Sequence, residues 1–567
     1  MLRSKTLLSA SALLTAAGLM TGCLQSNNSS IETTASNPLS CLDITPDLLN
    51  ATAVTIDTIE SVSADDSIAL DHCLVQGSYA PHLGIDNKEY TIGFELRLPN
   101  EWNRRFAFQF NGGTDGEVIS ATGRIPVRDN SDSALNRGFA VISTDAGHDG
   151  TANPDAGLAG SARFGLDPQA RIDYGYGAVT KMTPVAKQMI EAYYDNSITY
   201  SYGLGVSNGG RHAMVAATRI PEAFDGLLVG YPGFNLPKAA IQHAWDIQHF
   251  SDVDTDIATA YTQETMNYVS QTILDSCDSL DGLTDHMVND VEACQAAFDP
   301  TTLSLCTTDG ESECVSLAQR DALIAIHAGP RNTAGDDLYS NWVWDAGIND
   351  ANWRFWKLES GIPPWGNLPV IAVMGAGSLA QVFTTPPTEV GGTPEALEQF
   401  LLDFDFDTDA PKIAATTTVF SESALSFMRP LDVDNPTMGA FRDAGHKMII
   451  MHGTADPVFS VADTTRWYDL LNANNGNQAS NFTKLYRIPG MPHGSGGYST
   501  DNIDMLTELM AWVEDDQEPV GVEATTTPTN SEVPDDMQGI TRTVCPYPLI
   551  ATYTGTDPRS AASFTCQ

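Results

Sequence analysis

Residues 205–209 read Gly-Val-Ser-Asn-Gly and match the pattern G-x-S-x-G. A run rich in β-forming residues, 197–204, precedes them, and a helix-forming run, 210–219, follows. A strand, a tight turn and a helix make a nucleophile elbow, because the turn holds the serine in a strained conformation at the edge of a sheet. We therefore predict that Ser207 is a nucleophile; the alternative is an ordinary turn between a strand and a helix.

A serine hydroxyl needs a base, and the base needs an acid that orients it. In an α/β-hydrolase these groups follow one another in the order serine, acid, histidine. Asp456 comes shortly after the apolar run 447–451, and His493 comes shortly after the run 483–488. Loops at the carboxyl ends of parallel strands share one edge of the sheet. We predict that Ser207, Asp456 and His493 meet there; the alternatives are a turn aspartate and a solvent-facing histidine.

The negative charge that develops on an ester carbonyl needs two backbone N–H donors. One should come from Asn208, directly after the nucleophile. The second should come from a glycine-rich loop after an early strand, and residues 111–116 read Asn-Gly-Gly-Thr-Asp-Gly after the predicted strand 106–110. We choose Gly113 as the second donor and Gly112 as the next candidate; an ordinary turn is the alternative.

Closely spaced aspartates surround a glycine turn between residues 277 and 290. Carboxylates and backbone carbonyls are the hard oxygen ligands that calcium prefers, although the spacing is not that of an EF-hand. The alternative is a solvated acidic loop. The candidate ligands are the carboxylates of Asp278, Asp281 and Asp285 and the backbone carbonyls of Leu283 and Met287.

Predicted strands alternate with predicted helices on both sides of a long interruption, which indicates an α/β fold with a mainly parallel sheet. The interruption contains several Trp and Pro and helical segments such as 259–274, and we interpret it as an inserted lid domain. The predicted division is a signal peptide (1–22), a polar linker (23–40), the first part of the core (41–234), the lid (235–430), the second part of the core (431–516) and a C-terminal tail (517–567).

The N-terminus predicts export. Arg3 and Lys5 precede a short apolar run, 7–20, which is followed by Thr-Gly-Cys. This arrangement is typical of a signal peptide. Cys23 at its end resembles the lipid-bearing cysteine of a bacterial lipoprotein. We expect an outer-membrane lipoprotein; ordinary cleavage to a secreted or periplasmic protein is the alternative.

The 567-residue chain carries a net charge of −43, which argues against nucleic acids or anionic membrane surfaces as partners. The only membrane contact that we predict is through the lipid anchor. Nine cysteines in an exported chain predict disulfides. If Cys23 carries lipid, eight remain and allow 105 connectivities. Proximity favours the pairs Cys41 with Cys73, Cys277 with Cys294, Cys306 with Cys314 and Cys545 with Cys566.

Taken together, these motifs resemble the tannase and feruloyl esterase family, which includes mono(hydroxyethyl) terephthalate hydrolases. The resemblance covers most of residues 41–515 and implies an α/β-hydrolase core with a large inserted lid. It also implies a structural calcium ion at the five positions of the aspartate loop named above. The motifs that carry it are Gly209-Gly210-Arg211 after the nucleophile, His452-Gly453 with Asp456-Pro457, Pro492-His493, and the aspartate loop between Cys277 and Cys294.

The sequence departs from the family at one point. Members usually carry a cysteine just before the serine and another just after the histidine, joined by a disulfide. Here these positions are Val206 and Gly494. We therefore expect packing to hold Ser207 and His493 in place of that bond.

The predicted function is hydrolysis of carboxylic esters by a serine esterase, on aromatic esters of the feruloyl, galloyl or phthalate type. The residues Val-Ser-Asn-Gly-Gly are also similar to the nucleophile sequence of 3-hydroxybutyrate oligomer hydrolases, which keeps aliphatic polyesters as an alternative. A triad does not choose its acyl group, so a peptidase or lipase stays possible. An alternative of another class is a non-catalytic lipoprotein that binds a ligand on a hydrolase scaffold.

Overall fold

The main sheet carries the candidate residues in loops that follow its strands. The computed structural model describes residues 39–51, 53–308, 311–535 and 537–567, which all belong to one compact unit. Its strands are β1 (Val54–Val62), β2 (His72–Leu83), β3 (Glu89–Pro99), β4 (Arg105–Phe110), β5 (Ala140–Thr144), β6 (Tyr200–Val206), β7 (Gly226–Gly230), β8 (Lys447–Gly453), β9 (Thr483–Ile488), β10 (Asn502–Ile503), β11 (Val522–Thr525), β12 (Thr541–Val544), β13 (Ala551–Tyr553) and β14 (Phe564–Cys566).

The main sheet is parallel on the side of the candidate site. Its strands lie in the order β1-β2-β3-β5-β4-β6-β7-β8-β9. The pairs that join β1, β2, β3 and β5 are antiparallel, whereas those from β5 through β9 are parallel. β5 and β7 are buried at every residue, as expected of parallel strands covered by helices on both faces. The predicted α/β fold is confirmed.

Helices cover the sheet and fill the interruption between β7 and β8. Among the described residues of 231–446 there is no strand, so the sheet is interrupted over a longer stretch than the predicted lid, 235–430. The helices are α1 (Pro168–Ile172), α2 (Ala178–Tyr194), α3 (Asn208–Arg219), α4 (Leu236–Ser251), α5 (Gln263–Cys277), α6 (Val291–Ala297), α7 (Leu317–Ala328), α8 (Ala351–Lys357), α9 (Val370–Ser378), α10 (Pro394–Leu402), α11 (Ala424–Phe427), α12 (Gly439–Asp443), α13 (Val461–Asn474) and α14 (Met505–Asp515).

The C-terminal segment is more structured than its polar composition suggests. β11 pairs with β10 on one side and with β12 on the other in a three-stranded antiparallel sheet, and β13 pairs with β14. The predicted tail, 517–567, therefore contains four short strands. Short strands with polar alternate positions have too weak a hydrophobic period to be recognised from sequence.

Four disulfides join the described cysteines in the pairs that proximity favours: Cys41–Cys73, Cys277–Cys294, Cys306–Cys314 and Cys545–Cys566. The predicted signal peptide, Cys23 and nearly all of the predicted linker lie outside the described residues. Within the described ranges, we find no helix with the length and apolar character that crossing a bilayer requires.

Candidate active site

Ser207 occupies a strained turn between β6 and α3. Its φ is +60° and its ψ is −125°, and α3 begins at the next residue. Two glycines permit this turn. A Cβ on Gly205 would lie 2.2 Å from the carbonyl oxygen of Gly209, and a Cβ on Gly209 would lie 2.3 Å from that of Phe110. Glycine therefore lets α3 approach β6 and β4 closely enough to present the serine at the edge of the sheet.

The structure brings Ser207, His493 and Asp456 together. His493 Nε2 lies 2.9 Å from Ser207 Oγ, and His493 Nδ1 lies 2.9 Å from Asp456 Oδ2. The imidazole therefore bridges a hydroxyl and a carboxylate that are far apart in the chain. This geometry suits transfer of a proton from the hydroxyl to the imidazole, with the carboxylate orienting the ring.

Asp456 is buried and remains ionised. Burial alone would raise its pKa, but attraction to His493 and hydrogen bonds with His452 and His493 outweigh burial and hold the pKa well below the usual range. The backbone N–H groups of Val458 and Phe459 also donate to its other carboxylate oxygen. A fixed negative charge can therefore stabilise a protonated His493.

His452 supports the acid rather than competing with His493 as the base. Its Nε2 lies 3.3 Å from Asp456 Oδ2, and its Nδ1 lies 2.9 Å from Thr464 Oγ1. His212, another histidine near the nucleophile, is buried and lies 3.4 Å from Asp115. Of these three histidines, only His493 has a hydrogen bond to Ser207.

Aromatic rings surround His493 where the family usually has a disulfide. Tyr231, Trp356 and Phe459 meet the imidazole edge-on, with ring centroids 4.8, 5.0 and 5.4 Å away. Asn352 of α8 donates from its side chain to the carbonyl oxygen of His493 at 3.2 Å. Packing against both the core and the inserted segment thus restrains this loop. Val206 and Gly494 occupy the two positions at which members of that family usually carry cysteine.

The glycine-rich loop after β4 lies directly beside Ser207. A Cβ on Gly112 would lie 3.7 Å from Ser207 Cβ, and Gly113 lines the same cleft as Ser207 and Asn208. Asn208 is the first residue of α3, where backbone N–H groups have no acceptor within the helix. Both predicted oxyanion donors therefore border the space in front of the nucleophile.

A buried polar network that we did not predict fixes the start of α3. The Asn208 side chain donates to Asp115 Oδ1 at 2.5 Å and accepts from Arg211 Nε at 2.5 Å. Arg211 is fully buried and also donates to the carbonyl oxygens of Gly175 and Tyr174. Asp115 lies in the glycine-rich loop, but nothing in its sequence context shows that it reaches α3, because the contact joins two segments distant in the chain.

A cleft opens beside Ser207. Its walls come from the core and from helices α4 and α9 of the inserted segment. Most lining side chains are apolar, among them Leu236, Met374, Trp356 and Phe459, and none of those lining the cleft in the described chain is Asp, Glu, Lys or Arg. A pocket with this apolar, uncharged lining suits a small, uncharged organic group.

The aspartate loop lies in the inserted segment, closed by the Cys277–Cys294 disulfide. Asp278 and Asp281 are buried and accept backbone N–H groups from within the loop. Asp285 instead pairs with Arg542 of β12, whose Nε lies 3.0 Å from its carboxylate. A metal site needs several ligand atoms close together. Among the described residues, one group of three such atoms from Cys, His, Asp or Glu lies within 4.8 Å of one another, and it belongs to Cys306, Glu311 and Cys314. These two cysteines form a disulfide. The three aspartates thus do not meet at one point.

Comparison with known proteins supports an esterase. A mono(2-hydroxyethyl) terephthalate hydrolase from Piscinibacter sakaiensis is 39% identical over 521 residues, which cover 88% of this chain and 85% of that protein. A probable feruloyl esterase from Arthroderma benhamiae is 27% identical over 516 residues, which cover 88% of this chain and 86% of that one.

Solved structures show the same fold. Feruloyl esterase B from Aspergillus oryzae superposes with a TM-score of 0.72 at 20% identity, over 93% of this chain and 99% of that one. Tannin acyl hydrolase from Aspergillus niger gives a TM-score of 0.64 at 19% identity, over 92% and 94% of the two chains. The family model described as tannase and feruloyl esterase matches residues 73–567. The chain therefore belongs to the tannase and feruloyl esterase family and is a carboxylic ester hydrolase with an α/β-hydrolase fold.

Proposed function

We propose that the chain hydrolyses esters through an acyl-enzyme formed on Ser207. Ser207 Oγ attacks the ester carbonyl while His493 Nε2 takes its proton, and the imidazolium then gives that proton to the leaving alcohol. Water attacks the acyl-enzyme in the second half, with His493 again acting as base and then returning the proton to Ser207. Asp456 holds the imidazole in the required tautomer. The observation that carries this proposal is the unbroken hydrogen-bonded chain from Ser207 through His493 to Asp456.

The oxyanion of each tetrahedral intermediate would be held by two backbone N–H groups, those of Asn208 and Gly113. Both residues line the cleft in front of Ser207. The network of Asp115, Asn208 and Arg211 supports this role, because it fixes the first turn of α3 before the substrate arrives. Donors that are already oriented stabilise developing charge without the cost of reorganisation.

The substrates that we propose are aromatic carboxylic esters. The relatives described above include enzymes named for feruloyl and terephthalate esters. The cleft beside Ser207 is apolar and has Trp356 and Phe459 in its lining, which suits a planar ring. Esters of 3-hydroxybutyrate are the second candidate, and the Val-Ser-Asn-Gly-Gly sequence at the nucleophile favours them.

A fluorophosphonate probe tests the nucleophile. We expect the wild type to be labelled, and the Ser207→Ala variant to be unlabelled and at least about 10⁴-fold slower on p-nitrophenyl acetate. Ser131→Ala, which changes an exposed loop serine, is the matched control and should behave like the wild type. A panel of ethyl ferulate, monoethyl terephthalate and 3-hydroxybutyrate dimer separates the two substrate classes.

The labelling experiment distinguishes a different nucleophile from a protein that does not catalyse hydrolysis. An active, labelled Ser207→Ala variant would place the nucleophile elsewhere. A wild type that is neither labelled nor active on any ester of the panel would instead favour a scaffold that binds a ligand without catalysis.

We also propose that the aspartate loop binds calcium. The donor set fits a hard cation, because it consists of oxygen atoms and includes two buried carboxylates. Burial, together with repulsion from Asp285, raises the pKa of both Asp278 and Asp281. The pKa of Asp281 rises to about 6. A divalent cation would relieve both effects. Asp278, Asp281 and Asp285 would hold the ion with the carbonyls of Leu283 and Met287. Because Asp285 pairs with Arg542 and the three carboxylates do not meet in this structure, binding would require Asp285 to leave Arg542 and turn toward the other two.

Finally, we propose that the protein is exported and tethered to the outer membrane through lipid on Cys23. The signal-like N-terminus supports export. The four disulfides support it independently, because disulfides persist in oxidising compartments outside the cytosol.

A further inference from the structure

A second cavity borders the nucleophile on the other side of the glycine-rich loop. Gly113 lines the cleft described above, whereas Gly112 and Val206 line this second cavity. A Cβ on Gly112 would lie 3.5 Å from the carbonyl oxygen of Val206 and 3.7 Å from Ser207 Cβ. Because Gly112, Val206 and Ser207 are all partly exposed, an open strip of surface joins the nucleophile to the second cavity. Ser207 therefore lies between two cavities.

The lining of the second cavity differs from that of the cleft by one charge. Among the described residues that line it, Arg124 alone is charged. The amide side chains in the same lining already have partners within the protein. Gln109 Nε2 donates to Asn111 Oδ1 at 3.2 Å and to the carbonyl oxygen of Ser120 at 3.1 Å, and Asn111 Nδ2 donates to Ser143 Oγ at 2.9 Å. Arg124 is thus the group in this lining that is left to bind a ligand.

The guanidinium of Arg124 is exposed and has neither an ion pair nor a hydrogen bond in the described part of the protein. The chain has 72 acidic and 29 basic residues, so a carboxylate partner would be easy to find. The backbone at this position, in contrast, is held firmly. Gln109 Oε1 accepts from the N–H of Gly123 at 2.8 Å and from that of Arg124 at 3.3 Å. A fixed backbone that presents a free guanidinium at a cavity suits the binding of an anion.

Arg124 lies on the side of the site from which the alcohol leaves. Burial raises the pKa of Tyr231 to about 12, and the positive charge of Arg124 acts against this rise, so the two side chains are close. The Tyr231 ring meets His493 edge-on, with centroids 4.8 Å apart. In the proposed mechanism His493 gives its proton to the leaving alcohol, so the alcohol oxygen lies beside His493. With the acyl part in the cleft, the alcohol part extends past Tyr231 toward Arg124.

We propose that Arg124 binds a carboxylate on the alcohol part of the ester, and that the second cavity is an alcohol subsite selective for esters of hydroxy acids with a free carboxyl end. A guanidinium presents paired N–H donors that match the two oxygens of a carboxylate. The 3-hydroxybutyrate dimer carries its carboxylate at this place, whereas monoethyl terephthalate carries it on the acyl part. This inference rests on the proposed function, in which Ser207 attacks an ester held between the two cavities.

The test compares kcat/KM on an ester whose alcohol part ends in a carboxylate with kcat/KM on the same ester ending in an amide. Benzoyloxyacetate and benzoyloxyacetamide form one pair, and the 3-hydroxybutyrate dimer and its terminal amide form the other. Arg124→Gln should lower kcat/KM on the acids about fivefold, chiefly through KM, as expected for a well-formed ion pair at an exposed position. It should leave kcat/KM on the amides unchanged. Arg124→Lys should retain part of the preference, because it keeps the charge but loses the paired donors.

Two controls separate recognition from other roles of Arg124. Arg331→Gln removes the same charge from an exposed arginine that pairs with Asp337 and lines neither cavity, and it should keep the wild-type ratio of acid to amide. Monoethyl terephthalate and ethyl benzoate test the acyl part, and their ratio of kcat/KM should be the same in the wild type and Arg124→Gln. A change in that ratio alone would place the carboxylate on the acyl part and overturn the subsite. Equal losses on acids and amides would show that Arg124 only supports the fold.

The wild type alone also tests the inference. The net charge of −43 repels anions, so without a specific cation the screening of charge by salt should raise kcat/KM on the acid relative to the amide. If Arg124 binds the carboxylate, this ratio should instead fall between about 0.05 M and about 1 M NaCl. A rise would overturn the inference, as would a ratio that Arg124→Gln does not change.

Fluorophosphonate labelling of the wild type reports on the proposed function separately. A labelled enzyme without this selectivity contradicts the role of Arg124 only. An unlabelled, inactive protein contradicts the mechanism itself.

Discussion

His493 is held by groups from several parts of the chain, although it lies in a glycine-rich loop. Asp456 binds one ring nitrogen, and Tyr231, Trp356 and Phe459 pack edge-on around the ring. Edge-to-face aromatic contacts each contribute about 0.5–1.5 kcal/mol beyond the area they bury. Together they explain how the imidazole can keep its orientation without the disulfide expected in this family.

The contribution of Asp456 to the stability of the protein should be largest at neutral pH and should decrease at acidic pH. Its contacts hold its folded-state pKa below the ordinary value despite burial. A carboxyl with a lowered folded pKa contributes stability above its unfolded pKa of about 4, and that contribution is lost as the pH falls toward the folded pKa. Between about pH 6 and about pH 3, the wild type should therefore lose about 1 kcal/mol more unfolding free energy than Asp456→Asn.

Urea denaturation of the two proteins at each pH measures this difference. Parallel stability curves would show that folding does not perturb the pKa of Asp456. The same variant should also lose most of its esterase activity at neutral pH, because an amide cannot hold His493 in the required tautomer.

At the scale of elements, the turn from β6 to α3 depends on glycines that bring a helix against two strands. A Cβ on Gly209 would lie 2.3 Å from the carbonyl oxygen of Phe110, which belongs to the neighbouring strand β4. Backbone atoms cannot move away as a side chain can. Gly209 therefore affects both the position of Ser207 and the stability of the core.

Gly209→Ala should lower the unfolding free energy by about 2 kcal/mol or more, as overpacking in a rigid core does. Gly439→Ala is the matched control, because the nearest atom to its new Cβ would be Arg442 Nη2 at 3.9 Å. Chemical denaturation of both variants gives the comparison. Equal stability of the two would mean that β4 and α3 can separate without cost.

Removal of calcium should destabilise the inserted segment. If the ion binds with a Kd about 100-fold below its free concentration, chelation with EGTA should lower Tm by about 2–4 °C in a chain of this size. Asp281→Asn should abolish the response, whereas Asp275→Asn, at an exposed position of α5, should retain it. A Tm that does not respond to EGTA or added calcium would indicate that Arg542 is the permanent partner of Asp285.

At the scale of the whole molecule, the candidate active site is assembled from two halves of a sheet and the segment that interrupts them. β4 and β6 precede the interruption and carry Gly113 and Ser207, whereas β8 and β9 follow it and carry Asp456 and His493. The interrupting segment supplies α4, α8 and α9, which build the cleft and contact the histidine loop. The cleft beside Ser207 is thus built by the core and the insertion together, whereas the candidate triad belongs to the core alone.

The predicted lipid anchor should determine where the whole protein resides. In a bacterial host, wild-type protein should fractionate with membranes, and Cys23→Ser should move it to the soluble fraction because the acceptor of the lipid is lost. Ser26→Ala, in the same predicted linker, should stay with the membranes. A wild type found in the soluble fraction would favour ordinary cleavage of the signal peptide.

The sequence alone was enough to predict the chemistry of the site and the places where that chemistry could occur. Ser207, Asp456 and His493 were identifiable because each follows a strand with a strong local hydrophobic pattern, and parallel strands end at one edge. The α/β fold followed from the same alternation of strands and helices. The strands β1 and β2 and those of the C-terminal segment were not predicted from sequence, since their patterns are weak.

Only the tertiary structure decided how the site is supported and what it can hold. The contact of Asp115 with Asn208 and the rings around His493 each depend on residues far apart in the chain. Local patterns report which face of a strand or helix is buried, but not which distant side chain covers it. Packing of the inserted segment against the core therefore determines the shape and polarity of the cleft.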